Sequence, residues 1–153
     1  MDEEHDLEAI YRDHGKTLWR SLLAYTGGRR EIADDAVAET FARALAGARR
    51  IRDPIPWLYR VAYRIAAAEL KREGRQVVNQ ITAEPSYDSL PVVLAALRRL
   101  SPHQRAAVYL HYQADLPVAE VARLLGISTG TVKVHLFRGR ARLRKFLGEE
   151  PHG

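Results

Sequence analysis

The sequence predicts an all-α fold in two small helical domains joined by a flexible linker. Three observations carry this. Apolar residues recur at spacings of three and four rather than two, the period of an amphipathic helix. Glycine, proline and capping residues punctuate those runs at helix-length intervals. Residues 74–88 sustain no helical period and contain Gly, Asn, Pro and Ser.

Taken in order, Leu7, Ile10, Tyr11, Leu18, Leu22 and Tyr25 make the first stripe, which stops at Gly27-Gly28. Ala33, Val37, Phe41, Ala44 and Leu45 make the second, which Gly47 ends, and Asp34, Asp35 and Glu39 lie on its flank. Asp53-Pro54-Ile55-Pro56 reads as a turn through which no helix runs. A third helix is expected from about Trp57 to Arg72, with Leu58, Val61, Ile65, Ala68 and Leu70 apolar. The linker over 74–88, if flexible, spans roughly 20 Å root-mean-square. Beyond it a helix is expected near Leu90–Leu100. Ser101-Pro102-His103-Gln104 then has the form of a capping box, with Pro at the first helical position. That helix carries Ala107, Val108, Leu110 and His111 and ends before Asp115. The expected domains are 1–73 and 89–147, with a tail at 148–153. Bundles of about 70 residues bury only about 60% of their chain surface, so each half should be modestly stable.

Composition excludes several classes. The 153 residues include no cysteine, so a disulfide scaffold, a thiolate zinc site, an iron–sulfur cluster and a cysteine nucleophile are ruled out. The six histidines, His5, His14, His103, His111, His135 and His152, include no pair at metal-ligand spacing. No glycine-rich phosphate loop or nucleophile elbow appears. Asp34 and Asp35 are adjacent, so on a helix they point apart. The expectation is therefore no catalytic residue, no metal and no cofactor. The acidic start, Met1-Asp2-Glu3-Glu4, reads as neither a signal nor a transit peptide. The apolar run Ile65 to Ala68 is far too short to insert in a membrane. A cytoplasmic protein is expected.

The formal net charge is +5, with 24 Lys+Arg against 19 Asp+Glu, and its distribution matters more than its sum. Residues 1–50 carry a net −2, whereas residues 128–153 carry +4, and between Ser128 and Leu147 there are six basic residues and no acidic one. An acidic front and a basic tail suit two different partners, the tail a polyanion.

The sharpest constellation is Pro117–Arg140. Two helices crossing through a short turn need a small residue where they touch, which Ala122 supplies, and Gly126 tolerates a left-handed turn conformation. Ile127 and Val132 plug the joint, and Ser128 caps the second helix. This is a helix-turn-helix. At 100° per residue, with Val132 and Leu136 buried, the opposite face shows Gly130, Lys133, Val134, Phe137, Arg138, Ala141 and Arg144. Such a face suits the major groove, early residues reaching base edges and cations bridging phosphates. Ser128, Thr129 and Thr131 stand at the helix N-terminus, where backbone N–H groups can donate to a phosphate. The plain alternative is a helical hairpin with a solvated basic face.

Leu100-Ser101-Pro102-His103-Gln104-Arg105, Asp115 to Ala122, Gly126-Ile127-Ser128, Gly130-Thr131-Val132-Lys133 and Arg138 to Leu143 together resemble region four of extracytoplasmic-function (ECF) sigma factors of bacterial RNA polymerase. Ala33 to Leu45 is similar to a region two helix of that family, and Trp57-Leu58-Tyr59-Arg60-Val61-Ala62 to the start of the helix that reads the minus-ten element. The resemblance covers about residues 7–147. It implies promoter-specific initiation with core RNA polymerase, through the beta-prime clamp and the beta flap. Region four would read duplex minus-35 DNA, with Lys133, Val134, His135, Phe137 and Arg138 at the contact positions beside Ser128, Thr129 and Thr131. Asp34, Asp35, Glu39, Phe41 and Arg43 would bind the polymerase, and the carboxylates among them suit a basic protein surface rather than DNA. Capture of melted minus-ten bases would draw on Trp57, Arg60, Tyr63, Arg64, Lys71 and Arg72, of which the Trp57 ring serves equally well as core. An anti-sigma factor covering both halves is a further implied partner.

The chain departs from the family pattern in places. Ala38, Tyr63 and Ala68 stand where polar residues are usual, Leu45 where tryptophan is, and Arg64 where asparagine is common. The connection Ala46–Pro56 is short, and Pro117 and Val134 replace serines. The alternatives are a helix-turn-helix regulator resembling the LuxR type, whose N-terminal half senses or dimerises, and a protein-interaction module whose basic helix meets an acidic partner.

Overall fold

Asp6 opens the first helix in the computed structural model, which describes residues 6–47, 50–77, 95–96 and 98–148. Its side chain accepts a hydrogen bond from the Ala9 amide at 3.1 Å, satisfying one of the free donors at the start of α1, Leu7–Tyr25. Gly27 and Gly28, at φ +72° and +98°, turn the chain into α2, Arg30–Ala46. The third helix, α3, runs Pro54–Val77. C-terminal to it come α4, Pro102–Val108, which continues into a π-helical turn Tyr109–Gln113, then α5, Val118–Leu125, and α6, Thr129–Leu147. The described residues contain no strand.

The turn expected at Asp53–Pro56 is instead the start of α3. Pro54 and Pro56 both lie in the first helical turn, where backbone N–H groups have no intrahelical acceptor and their loss is harmless. The Trp57 amide already donates to the Asp53 carbonyl at 3.3 Å. The same helix continues to Val77, past the expected end at Arg72 and into the span read as linker. The rest of that linker, most of the helix expected near Leu90–Leu100 and the end of the tail lie outside the described residues. The capping box at α4 is present in both directions, the Ser101 hydroxyl accepting from the Gln104 amide at 3.2 Å and the Gln104 side chain from the Ser101 amide at 3.1 Å.

Helices α1–α3 form one lobe and α4–α6 another, but they do not fold around separate cores. A single cluster of buried side chains runs through both, with Leu18, Leu22, Leu58, Leu110, Val121 and Val132 all fully enclosed. Helix α1 packs against α4, and α3 against α5. Each half alone would bury only about 60% of its chain surface, and packing against the other half adds to that burial. Gly139 lets α6 approach α4 closely, since a Cβ there would stand 2.9 Å from Val108 Cγ2.

Arg105 joins the lobes. It is only 8% exposed, and its Nε and Nη2 donate to the Tyr25 carbonyl at 3.1 and 2.6 Å while Nη1 donates to the Leu100 carbonyl at 2.7 Å. Tyr25 is the last residue of α1, a helix with no basic residue in its own last turn. Its final carbonyls carry the negative end of the helix dipole; those of Leu22, Leu23 and Ala24 accept from the Thr26, Gly28 and Gly27 amides, and the Tyr25 carbonyl is the one left without a backbone donor. Arg105 supplies the missing donors and the cation, and Arg98 Nε adds a bond to the Gly27 carbonyl at 3.0 Å. Burial pulls the Arg105 guanidinium down to about 10, partly opposed by Tyr25, so it stays charged at neutral pH. At the far end of the interface Arg123 on α5 pairs with Asp53 at 2.6 Å.

Candidate nucleic-acid interface

The turn between α5 and α6 has the geometry the sequence predicts. Gly126 adopts φ +72° and its amide returns to the Ala122 carbonyl at 2.9 Å, as does that of Ile127 at 3.1 Å. A β-carbon at residue 126 would be strained at this φ, which is why glycine stands there. Ser128 caps α6, its Oγ accepting from the Thr131 amide at 3.0 Å and lying 2.8 Å from the Thr131 hydroxyl. Val132 and Leu136 are buried at 0% and 4% exposure, pinning α6 to the core.

That anchoring decides what faces outward. Gly130, Lys133, Val134, Phe137, Arg138, Ala141 and Arg144 are all exposed, as are Ser128, Thr129 and Thr131. Among the described residues no carboxylate pairs with Lys133 or Arg138. Their charge is therefore available to an anion. Arg140 and Arg142 are committed elsewhere, Arg140 to the Tyr112 hydroxyl at 2.6 Å and Arg142 to the Arg99 carbonyl at 3.1 Å.

His135 departs from the groove assignment. It is half-buried, and its ring stacks on His103 at a centroid distance of 6.1 Å, while His103 meets Tyr25 edge-on at 5.6 Å. One residue further round the helix than Val134, it turns toward α4 instead of solvent. Burial, then His103 and Arg138, hold its imidazole below the ordinary histidine value. The unfolded chain therefore takes up a proton that the folded chain resists, so stability is present above about pH 6.5 and declines below it. The melting temperature should fall between pH 7.5 and 5.5, and His135→Gln should flatten that dependence. An equally steep fall in the variant would assign the effect to another group.

On α3 the expected single-strand set divides. Tyr63 is buried at 6% exposure, beside Tyr25 at 5.0 Å and Tyr59 at 6.0 Å, and desolvation raises its hydroxyl well above the ordinary tyrosine value. It is part of the core at the junction of the lobes rather than open to solvent. Trp57 is half-buried and packs on the same core. Ala68, expected on the apolar stripe, is exposed, and the buried face is Leu58, Tyr59, Val61, Ala62, Tyr63 and Ala66. Arg60, Arg64, Lys71 and Arg72 are exposed. Arg72 pairs with Glu69, and the stem of Arg60 lies against the Gly126 turn, its Cδ 3.3 Å from where a β-carbon would stand.

On α2, Asp34, Asp35, Glu39 and Arg43 are exposed and Phe41 is half-buried. Trp19 Nε1 donates to Asp34 Oδ1 at 2.6 Å, and Arg43 Nε to Glu39 Oε2 at 2.9 Å, so two of the three carboxylates are already oriented. Tyr11 and Leu45, read as buried stripe positions, are 56% and 71% exposed. Tyr11 meets Phe41 edge-on at 5.1 Å, giving the α1/α2 face an aromatic pair that sequence reasoning missed. Leu45, four residues after Phe41 on α2, was the available signal.

Residues 10–76 match the family model for Sigma-70 region 2, and residues 91–143 that for Sigma-70, region 4. The ECF RNA polymerase sigma factor SigM of Mycobacterium tuberculosis is 32% identical over 158 residues, covering 95% of this chain and 79% of that protein. SigL of the same species is 32% identical over 159 residues, covering 94% and 89%. Among solved structures, the sigma factor RpoE from Bartonella quintana, in complex with the anti-sigma factor NepR, shares the fold with a TM-score of 0.75 at 21% identity, over 95% of this chain and 98% of that one. The region 2 match accounts for the acidic helix and α3 together, which a sensing or dimerising half would not require. No helix among the described residues is long and apolar enough to cross a membrane. With matches to both regions and an outward basic face on α6, the chain belongs to the ECF sigma factors, which direct transcription initiation by bacterial RNA polymerase.

Proposed function

We propose that α6 reads the duplex minus-35 element through Lys133, Val134, Phe137 and Arg138, with Ser128, Thr129 and Thr131 holding the phosphate at its N-terminus. The observation that carries this is the outward, carboxylate-free face of α6 behind which Val132 and Leu136 are buried. The exposed cations of α3, Arg60, Arg64, Lys71 and Arg72, take the backbone of the melted minus-ten strand, without a base pocket at Tyr63. Asp35, Glu39 and Arg43, with Asp34 and the Phe41 ring, face the beta-prime clamp, and the C-terminal lobe meets the beta flap. The chain acts in the cytoplasm, has no catalytic residue and needs no cofactor. A small anti-sigma protein covering both lobes is its inhibitor, as NepR is the anti-sigma partner named for the structural relative.

In-vitro transcription tests the whole reading. Core polymerase with this chain should give a specific transcript from a two-part promoter that core alone does not, and charge reversal at Asp35 and Glu39 should abolish it by preventing assembly. Absence of any chain-dependent transcript from the source genome would overturn it.

A further inference from the structure

Three buried polar side-chain atoms among the described residues have no hydrogen-bond partner, Thr40 Oγ1, Tyr63 Oη and His135 Nδ1. Such atoms are rare in folded proteins, because each gives up its water and receives nothing in return. Tyr63 stands where the lobes meet. Its ring packs on Tyr25 of α1 at 5.0 Å and on Tyr59 of α3 at 6.0 Å. Tyr109, in the π-helical turn of the other lobe, is close enough to push its hydroxyl up further, so the C-terminal lobe closes over it. Ser21 is its polar neighbour on α1, but the Ser21 hydroxyl donates to the Leu18 carbonyl at 2.8 Å and no bond to Tyr63 is completed.

The junction therefore carries opposed contributions. Arg105, bonded to the Tyr25 and Leu100 carbonyls, holds the lobes together. The Tyr63 hydroxyl works against it, since docking leaves it unpaired and parting the lobes returns it to water. A phenylalanine would fill the same space without that cost. Costly groups held in place by the structure around them are characteristic of elements that switch between two arrangements. We infer that Tyr63 is a release device, whose unpaired hydroxyl keeps the docked resting chain near enough in free energy to the parted chain for the lobes to reach separate promoter elements. This rests on the reading of the two lobes as serving separate elements.

The test removes one oxygen atom. The chain has no cysteine of its own, so cysteines introduced at the exposed positions Ala38 on α2 and Arg144 on α6 take a pair of dyes, and energy transfer between them reports parting of the lobes. At the urea concentration where the parent chain is half parted, Tyr63→Phe should lower the ratio of parted to docked molecules about tenfold, the order expected for relieving one unpaired buried hydroxyl. Tyr59→Phe, four residues earlier on the same face but with no orphaned hydroxyl, should leave the ratio unchanged. Without dyes and with the chain limiting, transcription by core polymerase from a two-part promoter should fall severalfold in Tyr63→Phe. An unchanged or raised ratio in Tyr63→Phe, an equal shift in Tyr59→Phe, or lobes that part only on global unfolding would each overturn the inference. A tightened junction with undiminished transcription would also overturn it, leaving Tyr63 a structural residue. If the dyes behave as expected but the parent chain supports no transcription, the proposed function is what fails.

Discussion

Replacing Arg105 by methionine should lower stability by about 2–4 kcal/mol and loosen the junction between the two lobes. Methionine keeps the apolar stem and much of the volume, so the loss isolates the guanidinium. Three hydrogen bonds go with it, and the enclosed Tyr25 carbonyl at the end of α1 loses both of its Arg105 donors. Lysine should restore only part of the effect, because one ammonium cannot reproduce the planar fork that reaches Tyr25 and Leu100 together. Chemical denaturation gives the stability, and small-angle scattering the change in radius of gyration. An unchanged midpoint together with an unchanged radius would mean that the lobes are held by their apolar contacts alone.

Lys133→Ala and Arg138→Ala should each weaken binding of the duplex minus-35 element by about 1–3 kcal/mol where the residue reads a base. Where it holds a phosphate, the slope of log affinity against log salt should fall by about one. The two outcomes separate the roles, since a base contact discriminates among sequences and a phosphate contact does not. Both residues are exposed, so the folded state should survive either change. Affinities and slopes that match the parent chain in both variants would remove α6 from the groove.

The outward face of α6 was legible because one helix with two known buried positions leaves no freedom in the rest. The Ala122–Gly126 turn was legible for a related reason, a backbone conformation that few residues tolerate. What sequence did not reveal was where one lobe meets the other. Tyr63 looked like a base pocket and His135 like a groove contact because periodicity says that a residue lies on a face, not what covers that face. The capping of α1 by Arg105 spans 80 positions and leaves no local trace. The prolines of α3 misled in another way, since Pro54 reads equally as a breaker or as the first residue of a helix.

The shared core also fixes a reach. A chain of this length folded as one body has a radius of gyration of about 15 Å, hence a breadth of roughly 40 Å. Elements centred 25 base pairs apart on B-form DNA are separated by about 85 Å at 3.4 Å per pair. No rigid object of the smaller size touches both ends of the larger span. Simultaneous occupancy of the two promoter elements therefore has a toll equal to the free energy of undocking α4 from α1 and α5 from α3, and apparent promoter affinity scales with the fraction of molecules already undocked. Whatever strengthens the Arg105 junction therefore adds to the free energy needed to part the lobes, and whatever loosens it subtracts from it.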